Sequence, residues 1–93
     1  MSASQPVARD VTVRGLVQGV FFRDACRQLA GEHGVAGWVS NEPDGSVRAH
    51  LEGPAPAVEQ LVRWMHDGPR RAVVDAVEVQ DADLTGASTF TVR

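Results

Sequence analysis

Val11, Val13, Gly15 and Val17 fall on one parity of the chain and Thr12, Arg14 and Leu16 on the other, the two-residue period of a half-buried strand. The period then lengthens. Phe22, Cys26, Leu29 and Ala30 recur at helical spacing while Arg23, Arg27 and Glu32 lie off that stripe, and Gly31 and Gly34 supply stop signals. Alternation returns over positions 35–42, with Val35, Gly37, Val39 and Asn41 on one face and Ala36, Trp38 and Ser40 on the other. The EPDGS segment at 42–46 carries turn chemistry, since Pro43 presets its own φ and Gly45 tolerates positive φ. Val47, Ala49 and Leu51 then alternate with Arg48, His50 and Glu52 to complete a hairpin, which Gly53 and Pro54 interrupt. Val58, Leu61, Val62 and Met65 predict a second amphipathic helix ending near Asp67, Gly68 and Pro69. A β-branched run over 73–79 and the closing TFTVR, with Phe90 and Val92, predict two further strands.

The resulting order is strand, helix, strand, strand, helix, strand, strand. This is a split βαβ pattern of the α+β class, βαββαβ with a short extra C-terminal strand, in which two helices cover one face of a mostly antiparallel sheet. With 93 residues the chain has room for one core and not two. Residues 1–8 are expected to form a flexible tail and residues 9–93 a single domain.

The charge pattern narrows the partners. A formal net charge of -3 offers no general attraction to nucleic acid or to an anionic membrane, so any anion site must be local. All nine basic residues are arginines, and each can make two-pronged contacts to an oxyanion. No apolar run approaches the length of a membrane span, and the N-terminal MSASQPVARD has no apolar core of a signal peptide. One cysteine, Cys26, cannot form an internal disulfide. These features predict a cytoplasmic protein, a monomer with no nucleic acid, membrane or metal partner.

The stretch GLVQGVFFRD (15–24) leaves a strand through two glycines and enters a helix at Phe22 and Arg23. A tight structural turn needs neither the second glycine nor the arginine. A loop whose amides, from Gln18 through Gly19, Val20 and Phe21 to Phe22, converge at the positive end of a helix dipole can hold a phosphate. Arg23 opposes that dipole unless an anion compensates it, and its fork can neutralise developing charge. Asn41 shares the parity of Val35 and Val39, which puts it at the end of the helix-covered face, near the loop's mouth. There an amide can hold a water; the plainer alternative is a residue that caps the hairpin turn.

Taken together, VRGLVQGVFFR (13–23) and GWVSNEPDGSVRAHLEG (37–53) resemble the two signature segments of the acylphosphatase family, and the likeness extends from about Asp10 through the rest of the domain. The resemblance implies a ferredoxin-like sandwich that hydrolyses acyl phosphates to a carboxylate and inorganic phosphate, with no metal or cofactor. It further implies a phosphate-binding loop of Gln18, Gly19, Val20, Phe21, Phe22 and Arg23, with Arg23 the phosphate-binding arginine and Asn41 orienting the attacking water. Ser40 departs from the long or basic residue common before that asparagine, a difference expected to touch access or substrate preference.

The alternative is a ferredoxin-like ligand- or RNA-binding module without catalysis, using the open sheet face. The low aromatic content of 5% and the negative charge argue against it. His33, His50 and His66 lack metal-ligand spacing and are expected at surfaces or helix ends. Cys26, on the apolar stripe, reads as a small core residue, Trp38 and Trp64 as packing residues, and Arg70 and Arg71 as solvated.

Overall fold

The computed structural model describes residues 5–93. The elements run β1 (Pro6–Leu16), α1 (Phe22–His33), β2 (Ala36–Asn41), β3 (Val47–Pro54), α2 (Ala55–Met65), β4 (Val73–Ala82) and β5 (Phe90–Val92). The sheet order is β4-β1-β3-β2-β5. All neighbours pair antiparallel except β2 and β5, which are parallel. This is the ferredoxin-like sandwich, with β5 added beyond β2.

The two periodicities build the core directly. Val11 and Val13 of β1, Val47, Ala49 and Leu51 of β3, and Val39 of β2 share one face and are essentially inaccessible. Onto this face α1 lays Phe22, Cys26 and Ala30, and α2 lays Val58, Leu61 and Met65. Phe22 and Trp64 join the helices in a tilted aromatic contact with centroids 5.2 Å apart. Cys26 is fully buried and its thiol is pushed up to about 12 by that burial, as suits a packing residue.

Two expectations need correction. The tail expected over residues 1–8 does not extend to Pro6, Val7 and Ala8, which open β1 and pair with Pro54, Gly53 and Glu52. Their own composition gives little strand signal; the ladder offered by β3 supplies it. Residues 1–4 lie outside the described residues. The second correction concerns His50, which is not a surface residue but is buried together with Glu52 on the sheet face away from the helices.

His50 lies opposite Asp10 on β1 and Trp38 on β2. Its Nδ1 is 2.7 Å from Asp10 Oδ1 and its Nε2 is 2.5 Å from Glu52 Oε2. A neutral imidazole has one N–H, so facing two carboxylates requires the doubly protonated ring. Glu52 also accepts from the backbone N–H and hydroxyl of Thr85 and from the Gly86 N–H at 3.2 Å. The connection from β4 to β5 is thereby stapled across the open face. Trp38 stacks on His50, and the Arg93 guanidinium sits 4.4 Å from the Trp38 ring centroid.

Burial alone would raise the Glu52 carboxyl, but the bonds from Thr85, His50 and Gly86 outweigh it and hold it down to about 2. Burial alone would lower His50, and the hydrogen bonds and charges of Asp10 and Glu52 reverse this to a net rise. A raised histidine stabilises the fold fully below its unfolded value of 6.5 and loses that contribution as pH climbs through the folded value. A depressed carboxylate stabilises above its unfolded value of 4.5 and loses the contribution as pH falls toward about 2. Urea unfolding across pH is therefore expected to show a stability decline above about pH 6.5 that His50→Asn flattens, and an acid decline below about pH 4.5 that Glu52→Gln flattens. Parallel parent and variant curves would contradict the ion-paired cluster.

Candidate active site

Between β1 and α1 the chain makes two left-handed steps. Gly19 has φ 75° and Phe21 has φ 64°; among the described residues Phe21 is the one non-glycine residue with positive φ. The sign of φ thus alternates from Gln18 to Phe22, a pattern that turns successive amides into one concavity. A Cβ-bearing residue in this conformation costs about 1–2 kcal/mol. Gly15, near the end of β1, and Gly19, in the loop, serve different ends. A Cβ on Gly15 would lie 2.2 Å from the Val73 carbonyl oxygen, so this glycine permits the close approach of β1 and β4 at the irregularity after Arg14. A Cβ on Gly19 would meet nothing within 4 Å, so that position answers to backbone conformation alone and leaves open space above the loop.

Phe21 is the N-cap of α1 and offers no side-chain cap. The first bond at this end of the helix runs from Ala25 N to Phe21 O at 3.1 Å. Among the described residues, the amides of Gly19, Val20, Phe21, Phe22, Arg23 and Asp24 donate to no protein acceptor. Free amides at a helix start are a ready anion site.

All the residues that carry these amides, except Val20, help line a cleft of about 300 Å³, together with Val17, Asn41 and Val92. Arg23 and Asn41, distant in sequence, are brought together here with Gly19, Phe21 and Phe22 of the expected loop. Gln18 and Val20 do not line the cleft. Val20 is buried in the core, and Gln18 Nε2 donates to the carbonyls of Glu42 (2.8 Å) and Ser46 (2.9 Å). Gln18 thus ties the loop to the β2–β3 turn, immediately after Asn41.

Arg23, a partly exposed residue at the positive end of α1, donates from Nη1 to the Arg93 carbonyl oxygen at 2.8 Å. That acceptor offsets part of the dipole's repulsion and leaves the other donors of the fork for the cleft. Asn41 pairs with Val47 in the β2–β3 ladder and lies on the helix-covered face. Among the described residues its carboxamide makes no hydrogen bond to protein. The turn is capped instead by Asp44, whose Oδ1 accepts from Ser46 N (2.9 Å) and Ser46 Oγ (2.6 Å). Those bonds, with Arg14 adding to them, hold the Asp44 carboxyl down to about 2. Asn41 is therefore not needed as a turn residue. Ser40 faces the opposite side of the sheet and donates to Glu42 Oε2 at 2.7 Å, away from the cleft.

The family model "Acylphosphatase" matches residues 9–92. The chain belongs to the acylphosphatase family. An acylphosphatase of Nocardioides sp. is 56% identical over 86 residues, covering 92% of this chain and 87% of that one. Another, of Rubrobacter xylanophilus, is 53% identical over 93 residues, covering 99% and 84%. A solved acylphosphatase structure from Coxiella burnetii superposes with a TM-score of 0.91 at 36% identity, covering 95% of this chain and 93% of that chain. Within the acylphosphatase fold, sequence reasoning missed Val92 as a cleft residue and the Arg93 carbonyl as the partner of Arg23. Both depend on the placement of β5, and no pattern in a three-residue strand says which strand it will join. Trp38 faces the other side of the sheet, stacked on His50.

Gln18→Ala removes two hydrogen bonds between the loop and the turn. It is expected to lower stability by about 1–2 kcal/mol in urea unfolding. Gln18→Glu, which aims a carboxylate at two carbonyl oxygens, is expected to lose more; full retention of stability in both variants would show that the tie carries no load.

Proposed function

We propose that this member of the acylphosphatase family hydrolyses acyl phosphates to a carboxylate and inorganic phosphate, with Arg23 and the loop amides binding the phosphoryl group and Asn41 orienting the water. The observation that carries this reading is the meeting, in one cleft, of unpartnered amides at a helix start, a guanidinium and a free carboxamide. The amides and Arg23 take the three equatorial oxygens, where charge gathers during displacement. Because these donors are already aimed, little reorganisation accompanies the reaction.

The water held by the Asn41 carboxamide attacks phosphorus in line with the anhydride bond. A P–O bond forms to water, the P–O bond to the acyl oxygen breaks, and the electron pair leaves with the carboxylate. A carboxylate departs without protonation, so no general acid is needed. The proton of the water passes to a phosphoryl oxygen. Asp24 is the one carboxylate lining the cleft, and its Oδ1 is 3.4 Å from Arg27 Nη2; no base role is assigned to it. Rate enhancement then rests on positioning and charge stabilisation.

The proposal includes a small-molecule substrate, inorganic phosphate as product and a monomer working in the cytoplasm. The buried Cys26 is compatible with a reducing compartment. Among the described residues no helix is long and apolar enough to cross a membrane.

With EDTA present, the parent is expected to release phosphate from benzoyl phosphate, and folded Arg23→Gln and Asn41→Ala variants to lose about a hundredfold or more in kcat/KM. Inhibition by inorganic phosphate separates their roles: Asn41→Ala keeps the parent's inhibition constant while kcat falls, and Arg23→Gln weakens both. Full activity in either folded variant would falsify the assignment.

A further inference from the structure

Glu52 is a charged residue buried on the sheet face away from the candidate active site, 5% exposed. Its carboxylate accepts from His50, from the Thr85 N–H at 3.0 Å and hydroxyl, and from the Gly86 N–H at 3.2 Å. An apolar residue in its place would avoid the cost of desolvating a charge. It would not fix the covering segment at one point, as four directed hydrogen bonds do. Residues 83–88 are exposed and lie outside any element, and among the described residues their hydrogen bonds to the rest of the chain are those to Glu52. The strand they lead into, β5, is three residues long, so its own ladder does little to fix its position.

A second route from the same cluster reaches the same end of the chain. The Trp38 ring stacks on His50 with centroids 6.4 Å apart, and the Arg93 guanidinium sits 4.4 Å from the Trp38 centroid. Arg93 therefore bridges the two faces of the sheet edge. Its guanidinium lies against Trp38 on the open face, its N–H donates to the Val39 carbonyl at 2.8 Å, and its carbonyl oxygen accepts from Arg23 Nη1 at 2.8 Å. Among the described residues that carbonyl is the one protein acceptor of Arg23, which lines the cleft.

The geometry points to Glu52 as a positioning residue for Arg23: by fixing the connection at Thr85 and Gly86 it sets where β5 ends, and so where the Arg93 carbonyl holds the guanidinium. This rests on the hydrolase reading above, in which that guanidinium meets the phosphoryl group. Glu52 touches neither the substrate nor the cleft. Without it Arg23 keeps its charge and loses its aim, and a planar fork is sensitive to small displacements. The loss falls on binding of the phosphoryl group. Asn41 stands on β2, whose ladder with β3 does not pass through the connection, so the hold on water is independent of Glu52.

The test is a double-mutant cycle read by binding of inorganic phosphate, followed through the amide shifts of Gly19 and Phe21 at a temperature where every variant is folded. Glu52→Gln is expected to weaken phosphate about threefold to tenfold, and Thr85→Val to weaken it less. Val58→Ala, a core truncation in α2 that lowers stability off this route, is expected to leave the affinity unchanged. In an Arg23→Gln background Glu52→Gln is expected to change phosphate affinity by less than about twofold, because the group it positions is already gone. In an Asn41→Ala background it is expected to cost as much as in the parent, and kcat/KM for benzoyl phosphate is expected to follow the same pattern. Should Glu52→Gln fail to fold, Thr85→Val, at an exposed residue, carries the same cycle. An unchanged affinity in Glu52→Gln and Thr85→Val, an equal loss in Val58→Ala, or an undiminished loss in the Arg23→Gln background overturns the positioning role and leaves the hydrolase reading standing. A parent that neither binds phosphate at these amides nor turns over benzoyl phosphate overturns that reading and the positioning role with it.

Discussion

Alternating the sign of φ from Gln18 through Phe21 is the constraint on which the cleft depends. It turns successive amides to one side, starts α1 without a side-chain cap and leaves those amides without protein acceptors. A loop of this kind is costly in isolation, because one of its left-handed residues is a phenylalanine. It is held from three sides. Phe22 anchors the first turn of α1 in the core against Trp64, Val20 packs beneath the loop, and Gln18 pins it to the β2–β3 turn.

The same restraints join the two halves of the site. Asn41 is the last residue of β2, and the turn to which Gln18 is tied begins at the next residue, Glu42. The ladder between β2 and β3 sets the parity that puts Asn41 on the helix side and Ser40 on the other. One residue of slip would exchange them and place the amide on the wrong face. Arg23 is held in its turn by the Arg93 carbonyl beyond β5, and β5 is tied to β2 by the bonds from Gly37 N to Thr89 O and from Arg93 N to Val39 O.

The face opposite the helices has its own organisation. Open faces of such sheets are commonly polar and wet, whereas here Asp10, His50 and Glu52 form an ion-paired row beneath the connection between β4 and β5. Burying these charges is tolerable because each of the buried ones is met by several partners. The row also restrains the segment that leads into β5, which supplies Val92 to the cleft on the far side and precedes the Arg93 carbonyl that holds Arg23.

Much of this was legible in the chain. Period-two and period-3.6 runs are local signals, and they specified the order of elements and most of the core, including Val11, Val13, Phe22, Leu51 and Leu61. Gly15, Gly19 and Arg23 also signalled an unusual strand-to-helix junction, and the parity of Asn41 pointed to the right face, since both follow from residue chemistry and spacing. Tertiary structure alone decided the rest. Pro6, Val7 and Ala8 became strand because β3 offered a ladder; His50 and Glu52, polar positions on an alternating strand, were buried because a distant loop covers them. Val92 reached the cleft, and the Arg93 carbonyl reached Arg23, because β5 pairs in parallel with β2. Contacts of that kind depend on which surfaces meet after folding, and local periodicity carries no record of them.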